Sequence, residues 1–352
     1  MKSQMTHRER IMAAINHQPT DRVPTDYWGV PEITEKLMKH FSVGDELSLW
    51  KALDIDKIMG VWVPLKPNSG RGDMWNIEYK KVPVADGAGY YWEAAKHPLA
   101  EFETIEEIEA SYEWPTLDMF DFSSIKEQCK RLKNEGYAIE GGYISLTYYY
   151  EIIRGTEQKF LDFATDEKLA DYIIYKIQEF TSAFTRRILE EGDGMIDLSQ
   201  ITDDFGGQTG LMMSKEMIEK YCGKYYKENT EMVKSFGTKV FHHDDGAIMD
   251  VIPWVIEKGC QVLNPIQWHL PGWDLNKIKK EFGDKICFHG AIDNQEILPF
   301  GSVEDVKAEV KACMDALYFD RTGYILAPCH NLQVITPIEN ILAMYEFGKN
   351  YK

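Results

Sequence analysis

Along this chain, short runs of β-branched and aromatic residues alternate with longer stretches whose apolar positions recur every three or four residues. The short runs, at about 23–28, 57–62, 137–141, 194–199, 239–243, 261–265, 285–289 and 323–328, predict strands. The amphipathic stretches between them, longest at 166–191, 214–235 and 303–318, predict helices. Strand and helix alternating from end to end means parallel βαβ units. Eight such strands predict a (β/α)8 TIM barrel in one domain over 1–352, in preference to an open doubly wound sheet. A helix precedes the barrel: Thr6 and Glu9 have capping-box spacing, and its pattern ends near Gln18. One stretch breaks the rhythm. Residues 66–103, rich in glycine and aromatics, predict a β-hairpin insertion over one barrel end. Helix punctuation is firmest in the C-terminal half. Asp274 predicts an N-cap with Gly283 just past the helix end, and Thr336, Pro337 and Glu339 mark another start.

Composition narrows the setting. Of the 352 residues 44% are hydrophobic, enough for a large core, and 57 acidic against 39 basic residues give a net charge of −18. Such a field repels polyanions, so nucleic acid and acidic membrane surfaces are not expected partners. The six cysteines show no CxxC and no framework spacing, which with 15 methionines predicts a reducing, cytoplasmic location. No apolar run approaches the roughly 18 residues of a membrane span. The early "IMAAI" is too short for a signal-peptide core.

The chemistry-bearing residues are not scattered. "KVFHHDDGAI", residues 239–248, runs a strand straight into two histidines and two aspartates. Four titratable groups at a strand exit cost free energy unless they bind, pair or catalyse. His269, His289 and His330 fall at or just past later strand ends, as do Asp203 and Asp204 in "SQITDDFGGQTG" and Glu140 in "YAIEGG". In a barrel of this kind, active-site groups sit on the loops after the strands' C-terminal ends. Plainer roles compete for each. His269 and His289 suit ordinary hydrogen-bonded positions, Asp244 or Asp245 suits a helix cap, and Cys329 suits a small buried apolar residue. His242 and His243 alternate, so one faces the barrel mouth and the other faces away. No P-loop, GxGxxG, GxSxG or HExxH occurs. Two chemistries fit such a mouth: metal-assisted catalysis with an open zinc position, and metal-free acid–base work by His and Asp.

Taken together, "DDFGGQTGLMMSKEMIEKY", "KVFHHDDG", "GCQVLNPIQ", "FGDKICFHGAID" and "GYILAPCHNLQVITPIENILAM" resemble the uroporphyrinogen decarboxylase superfamily in order and spacing. The resemblance begins at "HRERIMAAINHQPTDRVP" and covers essentially the whole chain. It implies an (α/β)8 barrel. The true decarboxylases of that superfamily work without metal and carry an arginine-bearing "RQAGRYLP"-type stretch for the substrate's carboxylates. Here "DYWGVPEITEKL" stands in its place, with no arginine between Arg22 and Arg71. An octa-carboxylate would then lack its guanidinium partners.

The chain is more similar to the cobamide-dependent methyltransferase branch, which moves a methyl group from a small donor to the cobalt of a separate corrinoid protein. Methanol- and methylamine-type members hold zinc with His-x-Cys and a distant Cys. Carried over, those positions fall on His243, Asp245, and Cys329 or His330, with Glu140 a further candidate ligand. The change to harder donors leaves zinc accessible. Aromatics of the first half, notably Trp28, Trp62 and Tyr148, suit a pocket for a flat ring, as in the first component of anaerobic O-demethylases. The expectation is therefore O-demethylation of a methoxylated aromatic. His243 with its metal partners stabilises the leaving oxygen, and Asp204 orients the substrate. A metal-free decarboxylase is the alternative, a non-catalytic binding protein the third reading, and a homodimer is left open.

Overall fold

The structure, a computed structural model, describes residues 5–83 and 90–351. Its strands, in chain order, are β1 (Met59–Gly60), β2 (Glu78–Pro83), β3 (Tyr90–Lys96), β4 (Ile139–Ile144), β5 (Leu198–Ile201), β6 (Lys239–His243), β7 (Val262–Asn264), β8 (Cys287–Ile292) and β9 (Tyr324–Pro328). Seven of them form one curled parallel sheet in the order β1-β4-β5-β6-β7-β8-β9. The other two pair antiparallel as the expected hairpin, whose linking residues 84–89 lie outside the described residues. No helix among the described residues is long and apolar enough to cross a membrane.

The expected first strand, 23–28, is the main departure. It forms a single parallel bridge, Thr25 to Leu326, not a ladder. Pro24 has no N–H to give. On the other side, the Thr25 N–H goes to the Asp56 carboxylate at 2.9 Å and the Ile58 N–H to the Asp26 carboxylate at 2.9 Å. Side-chain carboxylates thus take the hydrogen bonds that a strand partner would otherwise supply. The regular sheet stops at seven strands.

Inside the curl, Leu198, Phe241, Val262, Cys287 and Ile325, one from each of β5 to β9, pack with Ile11, Ala14 and Ile15 of the helix His7–Ile15. Ile58 and Ala138, just ahead of β1 and β4, complete this apolar layer. The interior is filled, as in closed barrels. The Thr6–Glu9 capping box that starts the helix is present. Outside the sheet, helices such as Glu167–Glu191, Lys224–Ser235 and Val303–Leu317 bury their apolar stripes against it. Asp274 caps Leu275–Phe282 as expected, but Gly283 keeps a right-handed conformation, and the last helix starts one residue late, with Pro337 in the cap position.

Candidate active site

Side chains two residues apart on a strand share a face. One step above the apolar layer, the inward positions are therefore Glu140, Gln200, His243, Asn264 and His289. This layer is polar from β4 to β8, while Gly60 of β1 and Ala327 of β9 take the matching positions at the two sheet edges. The parity also divides the histidine pair. Phe241 is interior, so His243 faces the mouth, while His242 turns outward to Phe205 and Tyr226. His242 is fully buried there, and desolvation holds its imidazole down at about 4.

His243 ends a directed line of hydrogen bonds. Its Nδ1 lies 2.5 Å from Asn264 Oδ1, Asn264 Nδ2 lies 2.8 Å from His289 Nδ1, and His289 Nε2 lies 3.0 Å from Asp26 Oδ2. An amide oxygen only accepts and an amide nitrogen only donates. His243 therefore donates from Nδ1, Asn264 donates to His289, and His289 donates from Nε2 to the carboxylate. Burial opposes a charge on Asp26, but Lys57 and His289 outweigh it and keep the carboxyl below its ordinary range. The consequence is at the far end: in the neutral ring, it is His243 Nε2 that carries the lone pair.

That lone pair faces carboxylates. Asp204 Oδ1 and Asp245 Oδ2 each lie 3.9 Å from His243 Nε2, and His330 Nε2 lies 3.8 Å from the same Asp245 oxygen. Burial lowers the His330 imidazole, which favours its neutral, lone-pair-bearing form. Two tight loops make the meeting possible. Gly246 sits at φ +104°, and a Cβ there would lie 2.6 Å from the Gly206 carbonyl carbon. Only glycine lets the loops after β5 and β6 touch, and Asp245 N then donates to Asp204 Oδ1 at 3.2 Å. Asp244 holds the crossing from below, accepting from Phe205 N and Gly206 N at 2.8 and 3.1 Å. It anchors the neighbouring loop and caps no helix.

The ligand atoms of His243, Asp245 and His330 lie within 4.8 Å of one another. Asp245 Oδ1 is buried without a hydrogen-bond partner, while Oδ2 faces both imidazoles. Two imidazoles and one carboxylate with an unsatisfied oxygen are a donor set that zinc accepts, with room for a further ligand. The structure does not bring Cys329 or Glu140 into this group. The Cys329 thiol points to the Ile266 carbonyl at 3.5 Å, and burial pushes it well above the ordinary thiol range. Asp203 is likewise turned away: it gathers Ser145 Oγ, Thr147 Oγ1 and the N–H groups of Leu146, Thr147 and Tyr148 at the start of the helix Thr147–Arg154. His269 pairs with Glu309 at 2.8 Å, apart from the cluster.

The aromatic candidates divide between two places. Trp28 stands on His243, with centroids 5.3 Å apart at 25°, and meets His330 edge-on at 6.3 Å. Its indole N–H is fixed on Asp26 at 3.0 Å. Trp62 and Tyr148 instead line a cavity of about 710 Å³ beside β1 and β4, roofed by residues 72–75 and Tyr79 from the insertion. Glu140 and Gln200 are on its lining. Glu140 also shares a small void with Trp28 and Phe241, so it stands between the cavity and the histidine cluster. Sequence reasoning missed Asp26, Gln200 and Asn264. Strand parity was the signal for the last two, since each lies two residues beyond an inward apolar position.

Burial pushes the Glu140 carboxyl up to about 7, against the opposing Gln200 hydrogen bond and the charges of Lys57 and His243. The sign follows. In the unfolded chain it titrates near 4.5, so folding favours the protonated form, and stability falls as pH rises from about 4.5 to about 7. A Glu140→Gln protein is expected to be more stable than wild type at pH 8 by on the order of 2 kcal/mol. The gain should vanish below about pH 4.5. Urea unfolding at the two pH values measures it, and a gain independent of pH contradicts the assignment.

Comparison with known proteins places this geometry in context. The family model described as uroporphyrinogen decarboxylase (URO-D) matches residues 87–351. Among curated proteins, the chain is 23% identical over 219 residues to a uroporphyrinogen decarboxylase of Pelodictyon phaeoclathratiforme, covering 60% of this chain and 55% of that one. It is also 23% identical over 190 residues to that of Chlorobaculum tepidum, covering 52% and 50%. The chain thus spans about half the length of the curated relatives it matches. Among solved structures, a methyltransferase from Methanosarcina mazei superposes with a TM-score of 0.72 at 16% identity, over 99% of both chains. A B12-independent methionine synthase from Shewanella sp. W3-18-1 gives 0.52 at 11% identity, over 93% of this chain and 97% of that one.

Proposed function

We propose that this chain, which belongs to the uroporphyrinogen decarboxylase family, is a methyltransferase that takes a methyl group from a methoxylated aromatic and delivers it to a corrinoid protein. In this reading the wall at Thr25 completes an eight-membered barrel, and 1–352 acts as one unit. The observation that carries it is the convergence of His243, Asp245 and His330 at the C-terminal ends of β6 and β9. The likeness in fold to a methyltransferase supports it.

Breaking the methyl–oxygen bond leaves the electron pair on a phenolate-like oxygen, a poor leaving group with a parent pKa of about 10. His243, Asp245 and His330 would hold zinc, which supplies Lewis acidity where that charge develops. Asp245 contributes a carboxylate that both imidazoles already face. Asp204, with Oδ1 3.9 Å from His243 Nε2, accepts a hydrogen bond from a ring hydroxyl where the substrate carries one, as in a methoxyphenol, and orients it. Trp28 closes one side of the cluster and restricts water.

The decarboxylase alternative needs guanidiniums for many carboxylates. Arg10 and Arg22, the nearest before the cavity, are tied to Asp56. The test supplies the purified protein with reduced free cobalamin and a panel of methoxylated benzenes. The released phenol is quantified by chromatography and the methylated corrinoid by its absorbance. Both products in equal amounts are expected. Carbon dioxide released from a porphyrinogen without any corrinoid overturns the reading.

A further inference from the structure

The cavity beside β4 has an unusual charge pattern. Its walls are aromatic and aliphatic, with Trp62, Trp75, Tyr148 and Tyr149 among them, and its ionisable lining besides tyrosine is Asp73 and Glu140. Among the described residues, no Lys, Arg or His is on that lining. The nearby cations are committed elsewhere. Lys57 lies behind Glu140 and pairs with Asp26 at 3.4 Å. Arg71 donates to the Met74 carbonyl at 3.1 Å and lies 3.7 Å from the Glu113 carboxylate.

We infer that this cavity is the ring site and that it selects an uncharged methoxyarene, such as a methoxyphenol or an ester, over an aromatic carboxylate. The inference rests on the methyl-ether reading above and names its substrate class. A carboxylate entering here would shed water with no counter-ion to replace it, and would meet Asp73. An uncharged ring loses only apolar hydration and gains aromatic contacts. Its oxygens find donors in the Gln200 amide and, with burial raising Glu140 to about 7, in the protonated fraction of that carboxyl. Tyr148 joins the two parts of the site, since it lines the cavity and feels the charge of Asp204.

The test is binding alone, by titration calorimetry on the full chain at pH 7 without corrinoid. Methyl 3-methoxybenzoate and 3-methoxybenzoate share the ring and the ether and differ in charge. The ester is expected to bind at least tenfold more tightly. Tyr148→Arg should shrink that gap by placing a cation on the lining. Trp62→Arg, at a residue 73% exposed and so tolerant of change, is the second variant. Equal affinity for ester and acid overturns the selectivity. No binding of either, or a gap that neither variant narrows, overturns the cavity as the ring site. If the ester binds selectively but no methylated corrinoid forms, the selectivity stands and the methyltransferase reading fails.

Discussion

On the proposed methyl-ether reading, a His243→Ala protein is expected to lose bound zinc and at least a thousandfold in methyl-transfer rate while remaining folded. His243 is one of three donors, and among the described residues no Cys thiol joins their group, while the nearby Asp204 carboxylate lies 3.9 Å from His243 Nε2, the atom that is removed. Removing it leaves Asp245 and His330, 3.8 Å apart, which is a weak two-point site. The rate follows because the charge on the departing oxygen is then unmatched, and a barrier rise of about 4 kcal/mol corresponds to a thousandfold. The fold should survive. The backbone of β6 keeps its bonds, including His243 N to Thr202 Oγ1 at 3.0 Å, and the side-chain losses are the hydrogen bond to Asn264 and the stacking under Trp28. That costs about 1–2 kcal/mol against a typical stability of roughly 5–15. Elemental mass spectrometry gives the metal, and circular dichroism checks the fold. Zinc retained in the variant removes His243 from the metal site. Zinc lost with transfer intact removes the Lewis acid from the reaction.

How much of this was legible beforehand depends on which physical signal was strong. "KVFHH" reads as β6 with its observed bounds, because a β-branched and aromatic run between turns leaves little choice. The hairpin was signalled differently, by glycines and aromatics that break the strand–helix rhythm over 66–103, and β2 and β3 pair antiparallel within that stretch. Residues 23–28 have a comparable composition but form only a bridge. What distinguishes them is Pro24 and the long-range carboxylates of Asp26 and Asp56, and the latter are invisible in a local window. The strand-end placement of Asp204 and His243 follows from the barrel pattern itself, whereas Glu140, expected past a strand end, is the second residue of β4. Cys329 and His330 were inseparable by pattern, since β9 ends at Pro328 and strand parity has no meaning beyond it. Only the bent backbone there sends the thiol to Ile266 and the imidazole to Asp245. Asn264 was overlooked although parity marks it, because an amide suggests no chemistry until its neighbours are known.

That amide is the second place where a large effect is expected. Asn264→Ala should weaken zinc binding by about 10–100-fold, the usual range for residues that orient a metal's histidine. Asn264 touches none of the carboxylates of the cluster. It acts through His243, taking the Nδ1 proton so that Nε2 presents its lone pair to Asp245 and His330. Without it, the imidazole is free to rotate and to place its proton on either nitrogen. His289 loses its donor too, so the line back to Asp26 is cut at the same point. Asn264→Asp separates orientation from packing. One carboxylate oxygen still accepts from His243 Nδ1, but the other cannot donate to His289, which must then carry protons on both nitrogens between two acids. Zinc affinity should recover with that variant, while the His289 ring signals shift. Competition with a chromophoric chelator measures the affinity, and ¹⁵N ring shifts of the metal-free protein report the tautomers. Wild-type zinc affinity in Asn264→Ala, with the His243 proton still on Nδ1, shows that packing by Trp28 alone orients the ring and that the hydrogen-bonded line is incidental.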